Sequence, residues 1–281
     1  MTTPALNVPQ SAIEDAVHIA LREDIGEGDI TAQLIPVDKF VTATVISRDN
    51  AVFCGMDWFE EVFRQIDGEV MVEWFSDDGD TIAAGQSICS LSGSARSILS
   101  GERTALNFLQ TLSGVATRSA EYARAVAKTD AIVLDTRKTI PGLRLAQKYA
   151  VSCGGCQNHR LGLYDAILIK ENHISSCGGI QAAVEKARFL NPEMPVEIEV
   201  ENMDELEQAL ATSVDRILLD NFSIKQLKQA VKICNGKVPL EASGGVTLDN
   251  IKKIASTGVN FISTGALTKD LEAIDLSLRL N

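Results

Sequence analysis

The sequence predicts an α/β protein: a parallel sheet from residue 129 onward, best read as a barrel, behind an α+β domain. Three observations carry this expectation. From residue 129 a short apolar run, a polar end and an amphipathic stretch recur in turn, and strand–helix alternation of this kind requires parallel strands. The apolar runs are nearly continuous, as in a sheet covered by helices. Every run ends in polar residues, which in a barrel converge on one mouth, where active sites form.

The elements follow in order. Segments VTATVISRDNAVFCG and EVMVEWFSDDGDTIAAGQSICSLSG alternate apolar and polar residues around turn signals such as Asp78-Gly79. Residues 1–112 therefore read as a separate domain. The stretch DGDTIAAGQSICSLSG resembles the hairpins of lipoyl and biotinyl carrier domains, but residues 65–102 contain no lysine to carry a cofactor. The helical stretch GERTALNFLQTLSGVATRSAEYARAVA leads into six expected strands, at 131–139, 165–173, 196–202, 216–221, 238–245 and 260–268. Between the later strands lie helices over GGIQAAVEKARFL, MDELEQALATS, SIKQLKQAVKI and TLDNIKKIAS. Six strands fit a barrel with strands missed, a reduced barrel or an open doubly wound sheet. The polar strand ends favour the barrel. In VEIEVEN, alternation puts Glu197, Glu199 and Glu201 on one face, and three glutamates cannot all be buried against helices.

The 281 residues carry a net charge of −12 and pI ≈ 4.8, which argues against general nucleic-acid binding. No apolar run approaches the ~20 residues of a membrane span, and MTTPALNVPQSAIED has no signal-peptide pattern. A soluble, cytoplasmic protein is expected. Residues 135–173 break the acidic trend with Arg137, Lys138, Arg144, Lys148, Arg160 and Lys170 against three acids. That window suits a small anionic ligand. Arg144 and Lys148, four apart on a helix, are expected to be partly solvent-facing. The six cysteines are scattered and expected to be reduced, and Cys153-Gly-Gly-Cys156 alone does not make a zinc site. His173 is expected to be structural. His159 alone fits a packed histidine.

The strand ends divide into three chemical parts. Arg137, Lys138, His159, Arg160 and Lys170 suit carboxylates or phosphates, with arginine binding carboxylate bidentately. Glu199 and Asp220 would repel an anion, unless Mg²⁺ joins them to phosphate or sugar oxygens. Ser243-Gly244-Gly245 and Thr264-Gly265-Ala266 suit a phosphomonoester at a helix N-terminus. Together these parts fit a phosphorylated ribose with a pyrophosphate leaving group and an acidic acceptor.

These residues lie in motifs that run along nearly the whole chain: ALREDIGEGDIT, GERTALN, TLSGVAT, DTRKTIPGLR, NHRLGL, LIKENH, EIEVEN, LLDNF, SGG and TGALT. In them the sequence resembles the quinolinate phosphoribosyltransferases. The resemblance implies an N-terminal α/β sandwich (1–112) and an incomplete parallel α/β barrel of the type II phosphoribosyltransferase kind (113–266). It also implies a tail (267–281) that packs back on the first domain. It implies transfer of phosphoribose from phosphoribosyl pyrophosphate to quinolinate with decarboxylation, giving nicotinate mononucleotide in NAD synthesis with Mg²⁺. The catalytic residues it implies are Lys138, Lys170, Glu199 and Asp220, with Glu199 and Asp220 holding the metal indirectly. Substrate contacts would add Arg103, Thr136, Arg137, His159, Arg160, Ser243 to Gly245 and Thr264 to Ala266. Arg103 would reach a neighbouring subunit's site in a homodimer, and the resemblance leaves open whether such dimers assemble into a hexamer. Cys156 departs from the family's usual CGGG loop. Another acidic acceptor, or a non-catalytic sensor on the same fold, are the alternatives.

Overall fold

The computed structural model describes residues 6–281. Its first half contains α1 (Gln10–Ile25), β1 (Phe40–Ser47), β2 (Ala51–Val52), α2 (Met56–Ile66), β3 (Met71–Trp74), β4 (Thr81–Ile82), β5 (Ser87–Ser94) and the long α3 (Ala95–Val126). Then follow β6 (Ile132–Leu134), α4 (Arg144–Cys153), β7 (Ile167–Ile169), α5 (Glu171–Cys177), α6 (Ile180–Leu190), β8 (Val196–Val200) and α7 (Met203–Leu210). The last elements are β9 (Arg216–Asp220), α8 (Ile224–Cys234), β10 (Leu240–Ser243), α9 (Leu248–Ala255), β11 (Phe261–Ser263) and β12 (Leu276–Leu280).

Two compact units share the chain. One holds the residues up to Ala120 with Ile140–Gly155 and Asp270–Asn281; the other holds Glu121–Thr139 and Cys156–Lys269. By contact the change of unit falls within α3, between Ala120 and Glu121, and the tail from Asp270 belongs to the first unit. Helix α3 continues through residue 113 without a break, because TLSGVATRSAEYARAV keeps the helical spacing of its buried residues.

The first unit is built on period-two burial. In β1, Ala43, Val45 and Ser47 face inward, and β5 alternates likewise from Cys89 onward. The antiparallel sheet has the order β12-β1-β5-β3, and β2 pairs with β4. The tail strand β12 pairs with β1, with Ala43 opposite Leu280 and Ser47 opposite Leu276. A cluster of Phe53, Phe59, Phe63 and Trp74, with ring centroids 5.1–5.6 Å apart, fills the space beside α2. Gly101 is needed where α3 meets it, since a Cβ would lie 2.7 Å from the Phe63 ring.

In the second unit all sheet pairs are parallel, in the order β6-β11-β10-β9-β8-β7. The order climbs from β7 to β11 and then returns to β6. A doubly wound sheet would reverse direction at a switch point. The circular order is that of a barrel left open between β6 and β7, and a lone parallel bridge from Leu134 to Gln157 continues the free side of β6. Val196, Ile198, Val200, Ile217 and Leu219 are all 0 % exposed and form the helix-covered face. Ser223 caps α8 by accepting from the Gln226 amide, so the cap lies beyond Asp220 and Asn221. No helix among the described residues is long and apolar enough to cross a membrane.

Candidate active site

The alternation that buries one face of the sheet turns the other into a lumen. Leu168, Lys170, Glu199, Leu218, Asp220, Glu241, Ser243 and Ser263 come to line one cavity of about 510 Å³. Strand register arranges them in layers. Glu199, Leu218 and Glu241 are opposite one another across β8, β9 and β10, and Asp220 is opposite Ser243 one pleat nearer the strand ends.

At the rim Lys170 is ion-paired with Glu199. Asp220 accepts from the Asn221 amide side chain at 2.7 Å. Asn221 has positive φ (56°) and its backbone N–H donates to the Ser243 carbonyl at 2.9 Å. Gly244 packs so tightly on it that a Cβ would sit 2.1 Å from Asn221 Oδ1. Glycine is thus required there for close backbone approach as well as for its φ of +93°.

The cationic end starts at β6. Buried Asp135 accepts from the His159 amide at 2.9 Å and from the Asn158 side chain at 2.6 Å, which fixes the NHR segment beside Thr136, Arg137 and Lys138. Burial, and then the Arg137 charge, lower the Arg160 guanidinium below its ordinary value. Arg137 Nε is buried with no hydrogen-bond partner among the described residues. Two guanidiniums that oppose each other, one with an unanswered donor, form a receptor for an anion.

Below the rim is a buried ionisable layer. His159 Nε2 lies 3.0 Å from Glu197 and 3.5 Å from Glu241, and Arg216 lies 3.0 Å from Glu241. The Arg216 guanidinium also stacks on Phe261, 4.0 Å from the ring centre. Burial, and then the charge of Glu197, push the Glu241 carboxyl up to about 7. Burial opposes ionisation of Glu197, but its hydrogen bond with His159 and the charges of His159 and Arg216 bring it below the usual carboxylate range. Burial also pulls His159 down, yet with both carboxylates ionised the hydrogen bond to Glu197 and the charges of Glu241 and Glu197 give a net upward shift, and the Glu241 part of it falls away once that carboxyl takes a proton.

Of the residues expected from sequence, Thr136, Arg137, Lys138, His159, Arg160, Lys170, Glu199, Asp220 and Ser243 to Gly245 line this cavity together. Thr264, Gly265 and Ala266 do not. Thr264 and Ala266 are buried, and the Thr264 hydroxyl donates to the Val246 carbonyl and accepts from the Ala266 amide. Arg103 is exposed on α3 in the first unit. His173 accepts from the Lys170 amide and caps α5, the structural part expected of it.

Lys148 is a correction. It is 0 % exposed rather than solvent-facing, because it belongs to the buried stripe of α4 with Ala146, Gln147, Ala150 and Val151. Cys153 approaches Cys54 and Asp78 in the first unit, while Cys156 is buried with its thiol pushed up to about 12 by burial and then by Asp135. Among the described residues, neither group of three close metal-ligating side chains includes Glu199 or Asp220. Sequence reasoning missed Glu241, Arg216, Asp135 and Asn221. The signal for Glu241 was its lumen-facing place in the apolar strand LEAS.

The sequence profile of the quinolinate phosphoribosyl transferase C-terminal domain matches residues 115–279, and that of the N-terminal domain matches residues 29–113. The chain belongs to the quinolinate phosphoribosyltransferase family. It is 41 % identical to the chloroplastic nicotinate-nucleotide pyrophosphorylase [carboxylating] of Oryza sativa subsp. japonica, over 97 % of this chain and 79 % of that protein. It is 40 % identical to a probable nicotinate-nucleotide pyrophosphorylase [carboxylating] of Bacillus subtilis, over 91 % of this chain and 89 % of that protein. The solved nicotinate-nucleotide pyrophosphorylase from Francisella tularensis superposes with a TM-score of 0.96 at 50 % identity, covering 98 % of each chain. An incomplete parallel barrel with an N-terminal sandwich is the fold of this family member.

Proposed function

We propose that this enzyme transfers the phosphoribosyl group of phosphoribosyl pyrophosphate to quinolinate and releases pyrophosphate and CO₂, forming nicotinate mononucleotide. One observation carries the reading: Arg137, with its unanswered Nε, sits against Arg160 at one end of a cavity. The Glu199–Asp220 acids and the Gly244 turn line the same cavity. A dicarboxylate fits the guanidinium end. A 5′-phosphate fits the glycine turn, where backbone N–H groups are open to approach.

Lys138 and Lys170 neutralise the pyrophosphate as it departs from ribose C1′. Glu199 and Asp220 face the sugar and stabilise the positive charge that develops there. The arginines orient the acceptor nitrogen, and orientation of this kind lowers a barrier by several kcal/mol. Once the ring nitrogen is alkylated, its positive charge stabilises the electron pair left at C2 as the C–CO₂ bond breaks, and a proton taken up from solvent at that carbon completes the product. No covalent nucleophile is required.

Mg²⁺ fits the rim only indirectly. Glu199 is ion-paired to Lys170, so the ion would reach Glu199 and Asp220 through water or substrate oxygens. When bound it supplies charge neutralisation for the leaving group. In the same reading the protein is a homodimer that lends Arg103 across subunits. Mixing Arg103→Ala with Lys170→Ala would then restore activity that each variant lacks alone.

The test of the function is an assay with quinolinate, phosphoribosyl pyrophosphate and Mg²⁺ that follows both products. Equal formation of nicotinate mononucleotide and CO₂, abolished by EDTA, is expected. Tight binding of phosphoribosyl pyrophosphate without turnover of quinolinate would move the function to another acceptor. Arg137→Ala should raise the quinolinate KM severely, and normal kinetics in that variant would end the acceptor-site assignment.

A further inference from the structure

The floor of the cavity poses a hydrogen-bond problem. Glu197 Oε1 and Glu241 Oε1 are both buried with no partner among the described residues, while the two side chains lie against each other. Two unanswered carboxylate oxygens in one buried layer are costly. The other groups facing Glu241 are His159 at 3.5 Å, Arg216 at 3.0 Å and the Ser263 side chain.

Three arrangements of protons are open to the layer. With Glu241 ionised and His159 neutral, Arg216 alone faces two carboxylate charges in the cluster, and the other guanidinium in electrostatic reach of Glu197, Arg160, would be drawn towards the floor and away from an acceptor. With His159 protonated the charges balance. However, its Nδ1–H would then face the Arg160 backbone N–H, which donates to Nδ1 at 2.8 Å. With the proton on Glu241 the charges balance, no two donors collide, and one O–H answers both orphaned oxygens.

We infer that Glu241 is a positioning residue that carries a proton and donates it in a hydrogen bond to Glu197. Glu197 in turn accepts from His159 Nε2–H, and the ring is held neutral with Nδ1 turned to the Arg160 amide. Glu241 thus acts through His159 on the placement of Arg160 at the acceptor end of the cavity. The positive charge that receives the acceptor comes from arginine and lysine, not from the imidazole. That consequence for the acceptor rests on the function proposed above; the hydrogen-bond pattern does not.

The experiment therefore has two readouts. The first is ¹⁵N NMR of the full chain without substrates at pH 6, where the Glu241 proton is held, with His159 assigned among the three histidines by His159→Gln. One protonated ring nitrogen, Nε2, is expected in the wild type and in Glu241→Gln. An imidazolium at His159 in the resting wild type overturns the proposal, whatever the enzyme acts on. The second readout is kinetic. Glu241→Gln, which keeps a neutral donor, should raise the quinolinate KM by less than about threefold, and Glu241→Leu by at least about tenfold, with the KM for phosphoribosyl pyrophosphate within about twofold in both. A loss in Glu241→Gln as large as that in Glu241→Leu overturns the proposal. Should Glu241→Leu not fold, the Glu241→Gln KM and its imidazole spectrum decide alone.

Discussion

Each unit holds one close cluster of acids and metal-ligating side chains, and the two clusters are satisfied differently. In the first unit Asp78 sits against Cys54 and Cys153. One of its oxygens accepts from the Gly55 and Met56 amides at the start of α2, and the other accepts from the Tyr149 hydroxyl at 2.8 Å. Every oxygen is occupied by the fold itself. In the second unit Glu197 and Glu241 each keep an orphaned oxygen beside His159. A carboxylate whose partners are all backbone and tyrosine is a brace. Where two carboxylates under a cavity each keep an unanswered oxygen, one proton between them answers both.

The sharpest way to break the contrast is Glu197→Ala. It leaves His159 Nε2–H and Glu241 without their shared partner, and removing one member of a buried charged network costs about 3–5 kcal/mol. Urea denaturation should show that loss, together with a collapse of activity. Asp78→Ala should cost less, about 2–3 kcal/mol for three lost hydrogen bonds to one acid. Its kcat and KM should stay within about twofold, as expected away from the site. If Asp78→Ala instead damaged kinetics more than stability, the brace and the proton holder would be indistinguishable.

The pH dependence sharpens the comparison further. The Glu241 carboxyl is raised from 4.5 to about 7, so the folded chain binds its proton more tightly than the unfolded chain does. Its contribution to stability is present below about pH 4.5, falls as pH rises towards 7, and is gone above that. Glu241→Gln lacks this term. Its stability relative to wild type should therefore rise across the same window by roughly 3 kcal/mol at most, measured by denaturant midpoints at pH 4.5 and 8. A constant difference would mean that Glu241 titrates alike in both states.

The smallest effect is expected from Cys54→Ala. Burial first, and then the hydrogen bond with Cys153, raise the Cys54 thiol well above its ordinary value. It packs as a neutral group, and its loss should cost about 1 kcal/mol by the usual scale of small core truncations.

Much of this arrangement was legible in the linear chain. The six strands of the second unit follow from their apolar runs, and β8 and β9 were read to within two residues. The cationic rim was legible because Arg137, Lys138, Arg160 and Lys170 stand out in an acidic protein. The start of α3 was less legible. The helix begins at Ala95, six residues before GERTALN, because the polar-rich ARSILS gives no boundary signal. Ser223, which caps α8, stands just beyond Asp220-Asn221, and all three are cap-forming residue types, so sequence does not show which one turns.

The sequence by itself determined the parallel sheet, the residues that gather at its strand ends and the family to which the chain belongs, because periodicity and motif spacing are local properties. Only the tertiary structure decided that the sheet curls in barrel order rather than reversing. It alone placed Lys148 in a core and brought Glu197, His159, Arg216 and Glu241 into one cluster. Those four come from four separate segments, and no local pattern specifies which buried acid will lie opposite which base. Their protons are shared across strands, and sharing of that kind exists only once the strands are side by side.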